Sequence, residues 1–259
     1  KQIFAWGTAD AYNPTDNINP YDYLDVIDRE KLGVYSGSLG LTAGPVDLTF
    51  VLVPLFTPSR DPLAKSRWTP IPEGATSADI EAGRFGVSIP KGALIEERRI
   101  PPNDVDNMQY AARLKTTVGG WDVSGSYYEG FEHTPVAKRP RAPGEKFVPV
   151  YTRMKVAGLD FSTTYEKFEF HGEGAFKFEE RDGKDDRFQG IVGLNYTWDD
   201  LGLKWLEHIM FIVEHARETN LSSRSRSRYL EAGAFTNAFR DALAGRVRFK
   251  FNEETQFSV

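Results

Sequence analysis

The segment from residue 108 to residue 130 alternates between two sets of side chains. Up to residue 118 one face carries Met, Tyr, Ala, Leu, Thr and Val and the other Gln, Ala, Arg, Lys and Thr, and the pattern resumes at Trp121 after Gly119 and Gly120. Period-two alternation is typical of a β-strand, and a Gly-Gly pair supplies the positive φ angles of a two-residue turn. The pattern predicts a hairpin with one apolar face and one wet face.

The same alternation recurs along the chain, and the connections are short and long in turn. Short turns are predicted at residues 43–45, 119–120, 166–167, 199–203 and 252–254. Outer-membrane barrels combine short turns at one end, long loops at the other and aromatic girdles. We therefore predict an all-β fold, a transmembrane antiparallel up-and-down β-barrel of about eleven strands. The aromatic residues beside the short turns are Trp121, Tyr165, Phe168, Trp198 and Trp205.

Two predicted strands depart from simple alternation. In residues 46–56, Val51 and Val53 make the second face apolar as well, so this strand either faces a plug or belongs to a soluble-type core. Residues 147–164 read as one strand whose apolar face slips by one position at Gly158, which predicts a β-bulge.

Composition excludes some classes of protein. The 259 residues are 40% hydrophobic and 27% charged, with a mean hydropathy of −0.45. No stretch approaches the roughly 20 apolar residues of a membrane helix, so a helical membrane protein is excluded. A membrane β-barrel is not excluded, because its strands alternate apolar and polar residues and contain no long apolar run. An aromatic content of 13% fits interfacial girdles. The net charge of −5 argues against nucleic acid as a partner.

One domain accounts for residues 1–259, with long loops expected at 7–30, 57–105, 131–146 and 218–236. Residues 1–6 read as the later part of a strand, and residues 256–259 read as a strand just begun. We therefore expect this chain to be a fragment that lacks some strands of the barrel.

Several ordered motifs carry a resemblance to a known family. They are AWGTAD at 5–10, NPTD at 13–16, NPYDY at 19–23, DREKLG at 28–33 and VPLFTPSR at 53–60. This string resembles the N-terminal half of an uncharacterised proteobacterial outer-membrane family of porin-like barrels, and later hairpins match it more loosely. The resemblance implies an envelope barrel of unsettled substrate, in some genomes thought to export or take up hydrophobic compounds. We expect the chain to depart from the family in lacking both termini.

Charged residues of the wet strand faces are the candidate site. Opposed charges across a pore select solutes by charge and orient them. The basic wall could face an acidic constriction formed by the first loop, whose Asn-Pro and Asp-Tyr turns indicate order. The alternative is that the aspartates cap turns and the cations solvate the wall. The lumen and selectivity set is Arg113, Lys115, Arg153, Lys155, Glu169, His171, Glu173, Arg246, Arg248 and Lys250. The constriction loop supplies Asp10, Asp16, Asp22, Asp25 and Asp28.

The sequence gives no local support for an enzyme. It contains no nucleophile elbow, phosphate-binding loop or zinc-protease motif. Glu169, His171 and Glu173 share one strand face, but a wet barrel wall explains them as well as an acid-base cluster does. No catalytic residue, metal or cofactor is expected.

The expected function is a porin-like channel or transporter in the bacterial outer membrane that passes small or hydrophobic solutes. Its expected partners are membrane lipids, the solute, and lipopolysaccharide, whose phosphates Arg224, Arg226 and Arg228 could bind. The oligomeric state is left open. Two alternatives remain: a soluble all-β ligand-binding protein, and a plugged barrel that acts as a surface receptor or scaffold.

Overall fold

The computed structural model describes residues 1–24, 30–60, 99–138, 148–180, 185–199, 201–203, 205–222, 229–230, 240–252 and 255–259. Some sequence-based predictions lie outside these residues. They concern Asp25 and Asp28 of the constriction loop, Arg224, Arg226 and Arg228, residues 253–254 of the last turn, and most of the expected loop at 57–105.

Ten strands form one antiparallel sheet, and three short strands form a second. The order in the large sheet is β1-β2-β3-β4-β7-β8-β9-β10-β12-β13, and that in the small sheet is β11-β5-β6. The strands are β1 (Gly37–Ala43), β2 (Val46–Val53), β3 (Gln109–Val118), β4 (Trp121–Phe131), β5 (Val136–Lys138), β6 (Val148–Val150), β7 (Arg153–Tyr165), β8 (Phe168–Glu179), β9 (Arg187–Trp198), β10 (His208–Asn220), β11 (Tyr229–Leu230), β12 (Asp241–Lys250) and β13 (Gln256–Ser258).

Neighbours in the large sheet follow one another along the chain, apart from the small-sheet strands inserted after β4 and β10. The all-β, antiparallel, up-and-down part of the prediction is therefore confirmed. A single 3-10 turn, Val105–Asn107, is the helical structure in the described part of the chain. No helix there is long and apolar enough to cross a membrane.

Three of the predicted short turns, at residues 43–45, 119–120 and 166–167, join paired strands in the structure. Gly119 and Gly120 join β3 to β4 with φ angles of 58° and 83°. Short and long connections alternate less regularly than predicted. The connection between β9 and β10 was predicted to be short, but it spans residues 199–207 and is longer than the connection between β8 and β9, residues 180–186.

The two faces of the large sheet have different surroundings. We call the face on which the N-terminal segment, residues 1–24, packs the covered face, and the opposite one the open face. Side chains such as Ala111, Val156 and Ile191 are buried on the covered face, whereas Leu159 and Val192 are each 56% exposed on the open face. Directly paired residues share a face, so strand register extends this assignment across the sheet.

The N-terminal segment supplies two of the ten buried residues of the main core. Trp6 and Ile18 pack with Val34 against apolar side chains of five strands. Each such buried side chain stabilises the fold by about 1.5–3 kcal/mol. This contact explains why the second face of β2 is apolar. The partners on the sheet are Val51, Val53, Ala111, Tyr128, Met154, Val156 and Ala175.

Three local predictions were wrong. The described residues of the predicted strand 147–164 form two strands, β6 and β7, and β7 pairs with both neighbours in unbroken register, so there is no bulge at Gly158. The apolar slip has another cause: Met154 and Val156 are buried on the covered face, whereas Leu159 lies on the open face. Residues 1–6 form no strand and make a single bridge, between Gln2 and Val34.

Candidate functional site on the covered face

The covered face collects most of the predicted site residues. Strand register and burial place eight of the ten wall residues on it, on three strands. They are Arg113 and Lys115 on β3, Glu169, His171 and Glu173 on β8, and Arg246, Arg248 and Lys250 on β12.

Glu173 binds the backbone of the N-terminal segment. Its Oε1 accepts hydrogen bonds from the N–H groups of Thr8 (2.5 Å) and Ala9 (2.7 Å), and its Oε2 accepts one from Thr15 Oγ1 at 2.9 Å. Gly7 permits this approach, because a Cβ there would lie 2.5 Å from Glu173 Oε1 and because its φ is 103°. One buried carboxylate thus satisfies donors that a loop leaves unpaired.

Glu214 on β10 binds the next part of the segment. Its two carboxylate oxygens accept hydrogen bonds from the N–H groups of Asp10 and Ala11, each at 2.7 Å, and His171 Nε2 lies 2.7 Å from Oε1. His171 and Glu214 meet across β9 at Gly193, where a Cβ would lie 2.2 Å from His171 Nε2. Neither side chain of the pair is more than 1% exposed.

Arg113 forms a similar pair across β4. Its Nη2 donates to Asp160 Oδ1 of β7 at 3.0 Å, and its Nε donates to Ser124 Oγ of the intervening strand at 2.9 Å. Ser124 also donates to Asp160. A short side chain on the middle strand lets the two charged ones meet, so the Arg113 charge is neutralised within the sheet.

The described aspartates of the constriction loop do not form one acidic surface. Asp16 pairs with Lys31, and Asp22 pairs with Arg60 at 2.9 Å. Burial raises the pKa of Asp16 above its usual value, and Lys31 opposes that shift. Of the three, Asp10 contacts the predicted basic wall, with its Oδ2 2.6 Å from Arg246 Nη1 and its Oδ1 3.5 Å from Arg248 Nη2.

The cations of β12 are more accessible than Arg113. The side chains of Arg246, Arg248 and Lys250 are 43%, 28% and 33% exposed, compared with 16% for Arg113. Lys250 pairs with Glu207 at 3.2 Å. Beside them on the covered face of β10 lie Met210 and Ile212, so the positive stripe borders an apolar strip.

Arg153 and Lys155 lie on the other side of the sheet. They were predicted to line the wall because the expected bulge reversed the alternation of β7, and without the bulge they share the open face with Leu159. Arg153 donates to the carbonyls of Asp106 and Met108, and both cations approach Glu129.

A second buried ionic cluster lies on the covered face, and the sequence did not single it out. Arg187 Nη1 donates to Glu179 Oε1 at 2.9 Å, and its Nη2 donates to Glu132 Oε1 at 2.5 Å. Lys177 is buried opposite Arg187 on the neighbouring strand. The cluster ties the end of β8 and β9 to the chain that follows β4.

His133 joins the N-terminal segment to the chain after β2. Its Nδ1 lies 3.0 Å from the carbonyl oxygen of Thr57, its Nε2 lies 3.1 Å from that of Asn17, and its ring stacks on Phe56. Burial lowers the pKa of His133, although these carbonyls and Glu132 favour the protonated form.

Comparison of the chain with protein-family models, curated proteins and solved structures finds no match. The fold and the site geometry therefore carry the functional inference. Among the described residues, no group of three or more His, Cys, Asp and Glu is placed to hold a metal ion. The covered face instead presents carboxylates that bind the backbone of the N-terminal segment and a partly exposed row of cations.

Asp160 and Glu214 are site residues that sequence reasoning missed. Asp160 lies three alternations from Met154, so an unbroken β7 would have placed it on the face of Arg113. Glu214 lies on the same strand face as Met210 and Ile212, two positions after Ile212. A carboxylate among apolar side chains of one face was the sequence signal that could have marked it as a site residue.

Proposed function

We propose that this chain forms the wall of a porin-like β-barrel in the bacterial outer membrane, a channel or transporter that lets small or hydrophobic solutes pass. The observation that carries the proposal is the open face. In a bilayer that face contacts lipid, and the covered face lines the passage.

The open face is apolar over most of its height. Each of the ten strands of the sheet carries at least one large exposed apolar side chain, including Leu159 on β7 and Phe257 on β13. Charged side chains of this face lie at the ends of strands that join the long connections, where an interface tolerates charge. These residues are Glu129, Arg153, Lys155, Arg217 and Asp241.

Aromatic residues follow the opposite border of the open face. Trp121, Tyr165 and Trp198 flank the short turns and are 45%, 68% and 45% exposed. Rings with one polar atom favour the headgroup level of a bilayer, so this row fits the aromatic girdle of a barrel. A soluble ligand-binding protein would cover such a surface, and within the described residues nothing covers it.

The N-terminal segment favours a second candidate, a plugged barrel that serves as a surface receptor or scaffold. Ile18 is 1% exposed, and both Glu173 and Glu214 bind the segment's backbone. A segment held this firmly narrows a passage in the channel proposal and closes it in the receptor proposal.

Two measurements on the full chain test the proposal. We expect the purified chain to need detergent and to show heat-modifiable migration in gels, and a chain that stays monomeric in buffer without either property is not a membrane barrel. We expect discrete conductance steps in planar bilayers. A detergent-dependent, heat-modifiable chain without conductance favours the plugged receptor.

A further inference from the structure

Asp10 occupies a site made by two arginines. Its carboxylate lies between Arg246 and Arg248, which are two positions apart on β12 and therefore project from the same face. Both guanidinium groups and the carboxylate remain partly exposed, so solutes in water can reach all three.

The charges at this place do not balance. Among the described residues, Arg113 is the cation that pairs with Asp160 and Lys250 pairs with Glu207, whereas Arg246 and Arg248 both pair with the carboxylate of Asp10. A guanidinium presents several N–H donors in a planar fork that suits carboxylate oxygens. The surplus donors leave this pair able to take another carboxylate.

The Asp10 side chain can leave without releasing the segment. Its own backbone N–H and that of Ala11 donate to Glu214, and the N–H groups of Thr8 and Ala9 donate to Glu173. None of these four bonds uses the Asp10 carboxylate. Exchange therefore costs only the two partly exposed contacts of the Asp10 carboxylate with Arg246 and Arg248, which solvent weakens.

We propose that Arg246 and Arg248 form a binding site for the carboxylate of an organic solute, and that Asp10 is a tethered competitor for it. The inference deepens the proposed channel function and rests on it for its biological role. A solute carboxylate replaces that of Asp10, and the Asp10 side chain then points into the solvent. When the solute leaves, the Asp10 carboxylate binds the two arginines again.

The test measures acetate binding to the detergent-solubilised full chain by saturation-transfer NMR. Acetate carries the same carboxylate as the aspartate side chain, with a methyl group in place of its methylene. Asp10→Asn removes the competitor, and we expect its acetate Kd to be lower by about fivefold, the change equivalent to losing roughly 1 kcal/mol of competition. Misfolding cannot imitate tighter binding.

Adding Arg246→Gln and Arg248→Gln to the Asp10→Asn chain should abolish the signal. Lys167→Gln is the matched control, since it neutralises a half-exposed lysine whose Nζ lies 2.6 Å from Asp199 in a turn, and it should leave the Kd unchanged. Unchanged acetate binding in Asp10→Asn overturns the proposal, as does binding that survives the two glutamines. Equal displacement of acetate by inorganic phosphate overturns the carboxylate assignment. The binding assay needs no conduction, so a chain that binds but does not conduct refutes the channel alone.

Discussion

Arg113 and Asp160 form an ion pair across an intervening strand, with Nη2 and Oδ1 3.0 Å apart. Ser124 of that strand bonds both partners. His171 and Glu214 repeat the arrangement three strands further along the sheet, with Gly193 between them. In both cases a small middle residue lets polar side chains on strands that are not neighbours come together, which stabilises the order of three strands at once.

Removing one partner of such a pair should lower the stability of the fold. We expect Asp160→Asn to lower the free energy of unfolding by about 3 kcal/mol, because the mostly buried Arg113 loses its counter-charge. The control is Asp122→Asn, which breaks the exposed 3.9 Å pair with Lys115 and should cost less than about 1 kcal/mol. Urea titration of the refolded chain measures both, and similar losses would contradict the assigned role of burial.

Glu173 should decide how firmly the N-terminal segment is held. Glu173→Gln keeps the shape of the side chain but removes its charge, so we expect a loss of about 2 kcal/mol and faster cleavage within residues 7–22 by added protease. Glu169→Gln, on the same face of the same strand, should not accelerate cleavage, since Glu169 accepts its bond from Asn195. Equal cleavage rates in the wild type and in Glu173→Gln would mean that Glu173 does not hold the segment.

Adjacent residues of β9 lie on opposite faces of the sheet, so the same substitution at two neighbouring positions should have different effects on stability. Leu194 is 38% exposed on the open face, whereas Asn195 lies on the covered face beside Glu169. If the open face contacts lipid, Leu194→Lys should cost about 2–4 kcal/mol near mid-membrane, whereas Asn195→Lys gains Glu169 as a counter-charge and should cost less than about 1 kcal/mol. Unfolding from lipid vesicles measures the difference. Equal losses of unfolding free energy in the two variants would refute either the strand register or the contact of the open face with lipid.

Acid should weaken the contact that His133 makes. Burial lowers the pKa of His133 in the fold, so the unfolded chain takes up a proton at a higher pH than the folded chain does. The contribution of the neutral ring is present above the unfolded pKa near 6.5 and is lost as the pH falls below that value. Wild-type stability should therefore fall more between about pH 7.5 and 5.5 than that of His133→Gln. The raised pKa of Asp16 acts in the opposite direction in both chains, so their difference isolates His133.

Much of the fold could be predicted from local sequence patterns, because a hairpin needs only alternating side chains and turn residues that lie close in sequence. The β3–β4 and β7–β8 hairpins are examples, with turns at Gly119–Gly120 and Glu166–Lys167. The position of the N-terminal segment could be expected only in part, since its Asn-Pro turns indicated order but not which carboxylates would bind it. Cross-strand pairs such as Arg113 with Asp160 depend on strand order and on the residue between them. No local pattern contains that information, and one assumed bulge was enough to misplace Arg153 and Lys155.

If the chain forms the proposed channel, ion selectivity is the property that depends most on the corrected placement of Arg153 and Lys155. Arg113 is neutralised by Asp160, and Lys155 lies on the open face, so the exposed cations of β12 should dominate the field along the covered face. A low-dielectric wall concentrates that field despite the net charge of −5. We expect a weak anion preference that falls when Arg246→Gln and Arg248→Gln are combined, whereas Lys155→Gln leaves it unchanged. Reversal potentials in a salt gradient measure it. A cation-selective pore, or a preference that Lys155 controls and the two arginines do not, would place the path of the ions on other residues.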